Sequence, residues 1–468
     1  MPIIRFTASA DTTITDGYKP FTTTRAYYAN MGAADSLEMY SIYSSGSETQ
    51  KSRILVQFPT TQISQSRTNG IIPASGSVNF IFKLFNVEHP ETLPKGYYAL
   101  IRPVSSSWDE GYGLDIENYS DTGQTGSKGY GSGWIWRTAS PTASWNNNGG
   151  DYVNGFNKQF YFEDGTEDIS VDVTNIIESQ ILGTIPDFGF GISLSGAYED
   201  GSNKTTYYTK RFSARSSQYY YKVPLILATW EATTKDDRGD FYYYSPNLSN
   251  SDNNQNIYFY NRINGSLKDL PNSVIPYVKL FNESGSLLTS SIASAKVSTG
   301  TYKATFNITG AESQFLKDVW YSGSNEYYTG SIDAKVRTFY DTFVDNEYVI
   351  SLSNLKQSYK QLEKPSIRVF IRQKDWSPNI YKIASKDIET ITLKNLYYKI
   401  IRIVDGETIV DYGIDPIAYS KCSYDKNGNY FDFDMSLLEK GYAYGIKFLL
   451  VNEQNKQEFV NTFRFKVE

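Results

Sequence analysis

Alternation of apolar and polar residues runs through most of this 468-residue chain and predicts an all-β protein built from sandwich domains. Composition agrees: 40 Tyr, 26 Phe and 34 Gly, with only 21% charged residues, suit pleated strands and tight turns better than helices. Amphipathic helical patterns are scarce, which is the third sign. At about 150 residues per domain, the length allows roughly three domains.

The elements follow in order. Residues 1–230 form the first block. Asp11–Ile14 opens it, Arg53–Phe58 and Val78–Val87 read as strands, and the apolar strand Val223–Trp230 closes it. Within it, Asp172–Leu182 places Val173, Ile176, Ile177 and Ile181 on one helical face, with Asp172 or Thr174 as cap and Gly183 as stop. The charged, turn-rich run Thr233–Asp240 leads into a second block, 231–343. There Tyr302, Ala304, Phe306 and Ile308 alternate with polar residues, and Glu312–Trp320 is expected to form a turn or two of helix. The third block, 344–468, carries Ile367, Val369 and Ile371, and later Phe463, Phe465 and Val467, as one-sided strands. The second and third blocks each approach the size of an immunoglobulin-like sandwich, about 100 residues. Neither holds the Cys…Trp…Cys core. The Gly-rich stretch 115–133 is too long for an ordinary hairpin loop. No fixed-period repeat occurs, which argues against a propeller or solenoid.

Several chemistries are excluded early. With one cysteine, Cys422, no intrachain disulfide or multi-cysteine zinc site can form. His89 is the sole histidine, at a strand end with no nucleophile or orienting group to pair with it. Formal net charge is −6, too balanced for a nucleic-acid binder. The start, Met1–Phe6, runs straight into polar alternation without a signal-peptide pattern, and no apolar run nears the ~18 residues a membrane span needs. The expectation is a soluble protein made in its producer's cytosol.

Candidate sites remain. Asp109, Glu110, Asp115 and Asp121, with Glu117 and Asn118, place oxygen ligands at short spacing, as calcium requires. The regular EF-hand spacing and its closing bidentate Glu are missing, and the plainer reading is a solvated acidic loop. No other cofactor is expected. Trp108, Trp134, Trp136 and Trp145, with Tyr112 and Tyr130, read either as a platform for sugar rings or as core plugs. The core reading is preferred, most of all for Trp108 and Trp145; Trp134 and Trp136 are the glycan candidates. Tyr219, Tyr220 and Tyr221, then Tyr242, Tyr243 and Tyr244, put rings on both faces of a strand, which suits either an interface or ordinary core. Asp432 and Asp434 share a strand face, but such carboxylate pairs are more often solvated than catalytic.

The order of short signals in the first block resembles the DNRLRE-type jelly-roll domain. Asn30, Gly32, Leu37, Arg53, Leu55, Phe58, Trp108, Trp145, Asp172, Val173 and Thr174 match its pattern. Gln57, Ser144 and the Gly-rich insertion depart from it. The resemblance covers roughly half of the chain and implies an N-terminal jelly-roll sandwich ahead of the two immunoglobulin-like ones. It also implies sugar binding in some members. The whole chain is similar in style to structural proteins of large T4-like tailed bacteriophages of aquatic hosts. Those open with a strand like Phe6–Ile14 and carry connector sandwiches like the segment around Asp318–Gly323 and Tyr328–Gly330. This resemblance implies a non-enzymatic virion structural protein of neck, tail or capsid, assembled in the host cytoplasm. Its partners would be other virion proteins and copies of itself, with no nucleic acid and no membrane. The alternative is a carbohydrate-binding adhesion protein that attaches the particle to a host-surface glycan. A glycan-cleaving enzyme ranks third.

Overall fold

The computed structural model describes residues 2–19, 21–27, 29–43, 49–90, 93–114, 131–139, 142–337, 347–374, 390–452 and 455–468. The chain divides into two compact units, Pro2–Glu231 and Ala232–Glu468. Among the described residues no helix is long and apolar enough to cross a membrane.

In chain order the strands of the first unit are β1 (Ile3–Thr7), β2 (Ala10–Thr15), β3 (Ser36–Tyr43), β4 (Thr49–Gln57), β5 (Asn79–Leu84), β6 (Asn86–Val87), β7 (Tyr97–Pro103), β8 (Trp136–Ala139), β9 (Thr142–Ser144), β10 (Lys158–Phe162), β11 (Ile169–Asp172), β12 (Phe190–Leu194), β13 (Tyr207–Ser213) and β14 (Leu225–Thr229). One sheet is ordered β1-β14-β5-β11, and the other holds β10-β7-β12-β4. Numbering these eight strands 1 to 8 along the chain gives 1-8-3-6 facing 5-4-7-2. That interleaving is the double Greek key of a jelly roll. The second sheet continues through β3, β13 and β6, with β2 also paired to β4. Strict alternation on β5 sends Phe80, Phe82 and Leu84 inward, where Phe82 meets Phe58 and Phe190. The ring centroids are 5.8 and 5.3 Å apart.

The expected helix forms as α2, preceded by α1 (Thr60–Thr68); α2 spans Thr174–Ile181 and buries Ile176 and Ile177. Asp172 accepts the Thr174 N–H at 2.8 Å just ahead of it. Helix α1 has no amphipathic signature in the sequence; it buries only Thr60 and Ile63, and Arg67 pairs with Glu178 of α2 at 2.7 Å. A further short helix is α3 (Ala197–Asp200).

The second unit contains two sandwiches. The first has β15 (Phe241–Tyr242), β16 (Gln255–Tyr260), β17 (Arg262–Ile263), β18 (Ser266–Leu267), β19 (Tyr277–Phe281), β20 (Leu287–Ser298), β21 (Thr301–Phe306), β22 (Gln314–Ser322) and β23 (Asn325–Lys335). The other has β24 (Tyr348–Leu352), β25 (Ser358–Tyr359), β26 (Ser366–Gln373), β27 (Leu396–Arg402), β28 (Thr408–Val410), β29 (Ser423–Asp425), β30 (Gly428–Asp432), β31 (Ala443–Val451), β32 (Lys456–Glu458) and β33 (Phe463–Val467). In the second of these, β24-β26-β30-β29 faces β25-β33-β31-β27-β28, with β25 parallel to β33. This is the immunoglobulin order ABED against A′GFCC′. The first follows the same plan: β15 runs parallel to β23, then β22, β19 and the first part of β20, while the last part of β20 crosses to pair β21, which in turn pairs β16. Ser291, at φ 59°, falls in the register shift of the β19–β20 pairing, ahead of the switch between sheets at Ala293 and Ser294. The molecule is all-β, a jelly roll followed by two immunoglobulin-like sandwiches.

One expectation is corrected. Residues 312–320 do not start a helix; Gln314–Ser322 is strand β22. Leu316, Asp318 and Trp320 point inward while Phe315 and Lys317 lie in solvent. The period is two, and pairing on both sides with β19 and β23 holds it extended.

Candidate functional site

Strand alternation assigns one outer face of the jelly roll. Tyr98, Leu100 and Arg102 of β7 share it with Gln159 and Tyr161 of β10, Gly191 and Ser193 of β12, and Arg53 and Leu55 of β4. Register places Tyr98 opposite Tyr161, Leu100 between Gln159 and Ser193, and Gly191 between Arg102 and Leu55.

Half of this face is covered. Leu55 packs with Ile14, Val104, Trp108, Trp134 and Trp145 in a small apolar cluster outside the main core. Tyr152 lies on Gly191 so closely that a Cβ there would sit 2.2 Å from its ring. Its ring is flanked by two guanidinium groups, with Arg102 Cζ 3.8 Å and Arg53 Cζ 5.8 Å from the centroid. Arg53 donates from Nε to Glu199 at 2.6 Å and from Nη1 to the Gly149 carbonyl at 2.7 Å, with Trp134 5.1 Å away. Burial opposes the charge on Arg53, but Tyr152 and Glu199 hold its pKa above the ordinary value. Burial also raises Tyr152 and lowers Arg102.

The other half is open. The rings of Tyr98 and Tyr161 lie 4.8 Å apart, 39% and 48% exposed. Gln159 is exposed beside half-buried Leu100. Arg102 stands at the border. Its Nη2 donates to Ser193 Oγ at 3.1 Å, its Nε is buried without a hydrogen bond, and it makes no ion pair among the described residues. The signal for this pair was in the sequence: consecutive Tyr97 and Tyr98 on one strand put one ring in the core and one outside.

The residues singled out from sequence are distributed otherwise. Glu110 accepts the Asp11 N–H at 2.9 Å and both its oxygens take Arg215 Nη2 at 2.8 Å. Asp109 sits beside it, its N–H bonded to the Arg137 carbonyl. Asp115 and Asp121, like Glu117, Asn118 and Tyr130, lie outside the described residues. Among the described residues no group of three or more side chains is placed to hold a metal. Asn30 ties this region together, donating to the carbonyls of Glu110 and Ser132 at 2.8 and 3.0 Å. Trp134 is 6% exposed, part of the small cluster with Trp108 and Trp145, whereas Trp136 is half-buried.

The tyrosine runs also split, and Tyr219–Tyr221 lie in a turn between β13 and β14 and not on the strand expected of them. Tyr219 and Tyr220 are exposed, while Tyr221 is buried with Arg5 5.1 Å from its ring. Tyr243 is buried, Tyr244 is exposed, and half-buried Tyr242 lies under Arg337 at 4.5 Å. Cys422 is buried and its thiol is pushed up by burial. Asp434 is not on the strand with Asp432. It accepts the Ser436 N–H at 3.0 Å and pairs with Lys364 at 2.7 Å.

A second constellation braces the C-terminal unit. The stretch Thr234–Asp236 runs beside Tyr424 of β29, with hydrogen bonds from Tyr424 N to Thr234 O at 3.0 Å and from Asp236 N to Tyr424 O at 3.1 Å. The next two residues engage the neighbouring sandwich. Asp237 accepts the Asn256 N–H at 2.8 Å and the Tyr424 hydroxyl at 2.9 Å. Arg238 pairs with Asp318 of β22 and donates to the Tyr258 carbonyl at 2.9 Å. Asp236, Asp237 and Arg238 are each 5% exposed or less. Burial pushes the Asp236 carboxyl up to about 7, opposed by Arg238 and assisted by Asp425 and Asp237. A cleft of about 730 Å³ opens nearby, lined by Arg238, Phe315, Asp333, Arg368, Phe370 and Lys426 among others.

No family model and no curated protein matches this chain. Among solved structures, it is similar to the N-terminal Ig1-2 module of the Drosophila receptor protein tyrosine phosphatase DLAR. Identity there is 10% over 46% of this chain and 91% of that one, with a TM-score of 0.15. It is also similar to the tandem Ig repeats of Dlar, at 11% identity over 41% and 82% of the two chains and a TM-score of 0.15. Likenesses this low carry no functional argument, and the immunoglobulin topology stands on the strand order described above.

Proposed function

We propose that the protein is a non-catalytic structural component of a tailed-phage particle. It docks to other virion proteins and to copies of itself, and it resides in the virion after assembly in the host cytoplasm. The observation that carries this reading is the braced pair of sandwiches. Asp237, Arg238 and Tyr424 tie the segment that enters the C-terminal unit to both sandwiches through a buried polar joint, which suits a load-transmitting part of an assembly. Repetition of modest contacts around a symmetric particle then gives lasting attachment. Of the groups weighed for chemistry, Asp434 is held by the Ser436 N–H and Lys364, and Cys422 is enclosed. Mass spectrometry of gradient-purified particles of the encoding phage tests the proposal. The expected result is this chain in many copies per particle; its absence from washed particles would sink the idea.

A second reading, adhesion to a host-surface glycan, is favoured by the uncovered Tyr98–Tyr161 pair rather than by Trp134, which is packed away. Exposed rings on a rigid sheet offer flat apolar surface to sugar faces. A glycan array probed with the full chain distinguishes the two readings.

A further inference from the structure

We propose that the open half of the jelly-roll face binds an acidic oligosaccharide, with sugar rings stacked on Tyr98 and Tyr161 and a carboxylate paired to Arg102. The inference deepens the adhesion reading and rests on it. Arg102 lies four positions beyond Tyr98 on β7, a span of roughly 13 Å at strand rise. A single sugar cannot reach across that distance, so the ligand is an oligosaccharide lying over Leu100, with exposed Gln159 beside it for hydroxyls.

Charge complementarity selects an acid. Arg102 is largely withdrawn from water, yet no carboxylate faces it directly among the described residues. Its neighbours are the Tyr152 ring, the Ser193 hydroxyl and a second cation, Arg53. The nearby carboxylate, Glu199, is engaged by Arg53 through Nε and Nη2. Among the described residues the cluster therefore holds two guanidinium groups against one carboxylate, and a desolvated cation without a counter-charge is costly. An incoming carboxylate would complete it with the planar geometry guanidinium favours. A peptide is a poorer fit. The β7 backbone is already hydrogen-bonded on both sides, to β10 and β12, so an added strand has nothing to pair with there.

The test uses the full chain, titrated by calorimetry with oligogalacturonate, its methyl ester and a neutral cello-oligosaccharide. The expected result is binding of the acid alone, weakened by salt. Affinity should fall about tenfold or more in Tyr161→Ala and in Arg102→Gln, a loss of roughly 1.4 kcal/mol or more. Circular dichroism melts confirm that each variant is folded. Tyr161 is exposed, so its variant keeps the test informative if Arg102→Gln does not fold. Equal binding of the ester, unchanged affinity in folded variants, or equal competition by polyglutamate would overturn the acidic-saccharide assignment. If only the neutral sugar binds and Tyr161→Ala abolishes it, the adhesion reading survives and this inference fails. If the chain binds none of the three and no glycan on the array, both fall.

Discussion

Gly191 shows how one missing side chain organises a surface. Its backbone conformation is ordinary, so its value is space: only hydrogen leaves room for the Tyr152 ring against the sheet. Tyr152 in turn separates Arg53 from Arg102 and holds both by cation–π contact. Gly191→Ala is expected to push Tyr152 off the sheet and destabilise the jelly roll by about 1–3 kcal/mol, the usual cost of overpacking. A urea titration followed by tryptophan fluorescence checks it, since Trp134 lies against Arg53 in the same cluster. None of this was legible beforehand. Arg53 matched a family position as a residue type, but its partners Glu199, Tyr152 and Gly149 arrive from about 100 to 146 residues away. Glu110 is similar: it stood out as an acid in an acidic run, and only the fold brings Arg215 to it.

At the scale of elements, period-two alternation was readable wherever one face is buried. Ile367, Val369 and Ile371 of β26, and Phe80, Phe82 and Leu84 of β5, all point inward. It failed at β22, where Asp318 occupies an inward position and hides the pattern. Arg238 neutralises that carboxylate in the core, so the strand buries a charge that a sequence pattern counts as polar. The alternation makes a direct prediction. Leu316→Ala should cost about 2–5 kcal/mol as a core truncation, while Phe315→Ala, next to it but 60% exposed, should change stability far less. Chemical denaturation of the two variants decides between the strand and a helix, in which adjacent positions would not differ so sharply. Helix α1 escaped notice for the opposite reason: it is polar almost all round and is held by tertiary contacts rather than by an apolar face.

At the scale of the whole molecule, two buried carboxyls make stability depend on pH. Burial, opposed by the Arg215 backbone N–H, pushes Asp11 up to about 7, and burial likewise pushes Asp236 up to about 7. An unfolded Asp titrates near 3.9. Between about pH 4 and 7 the folded chain therefore binds more protons than the unfolded chain, so the contribution of these groups falls as pH rises through that window. Denaturation midpoints are expected to be higher at pH 5 than at pH 8. Asp11→Asn should flatten the profile of the jelly roll, and Asp236→Asn that of the C-terminal unit. The joint makes a separate prediction. Tyr424→Phe removes the hydroxyl bonded to Asp237 and should cost about 1–3 kcal/mol, because a buried acceptor loses its donor. Calorimetry of that variant should show the C-terminal unit melting in two less coupled steps, where the parent melts in one.

The sequence by itself determined the all-β class and most one-sided strands, because alternation is a local property of the chain. It also marked Trp108 and Trp145 as buried, but the fold places them in a cluster on the outer face of the sheet and not in the core between the sheets that was expected of them. The tertiary structure decided what no local pattern encodes. Strand order is set by which distant strands pair, and it is this order that makes the first unit a jelly roll and the other two sandwiches immunoglobulin-like. The candidate binding face is likewise a product of register. Tyr98 and Tyr161 lie on different strands and meet only when β7 and β10 align, while Trp134, the more conspicuous aromatic in the sequence, is taken into the apolar cluster beside them. Side-chain type can be read along the chain; which rings remain in water depends on what the rest of the fold covers.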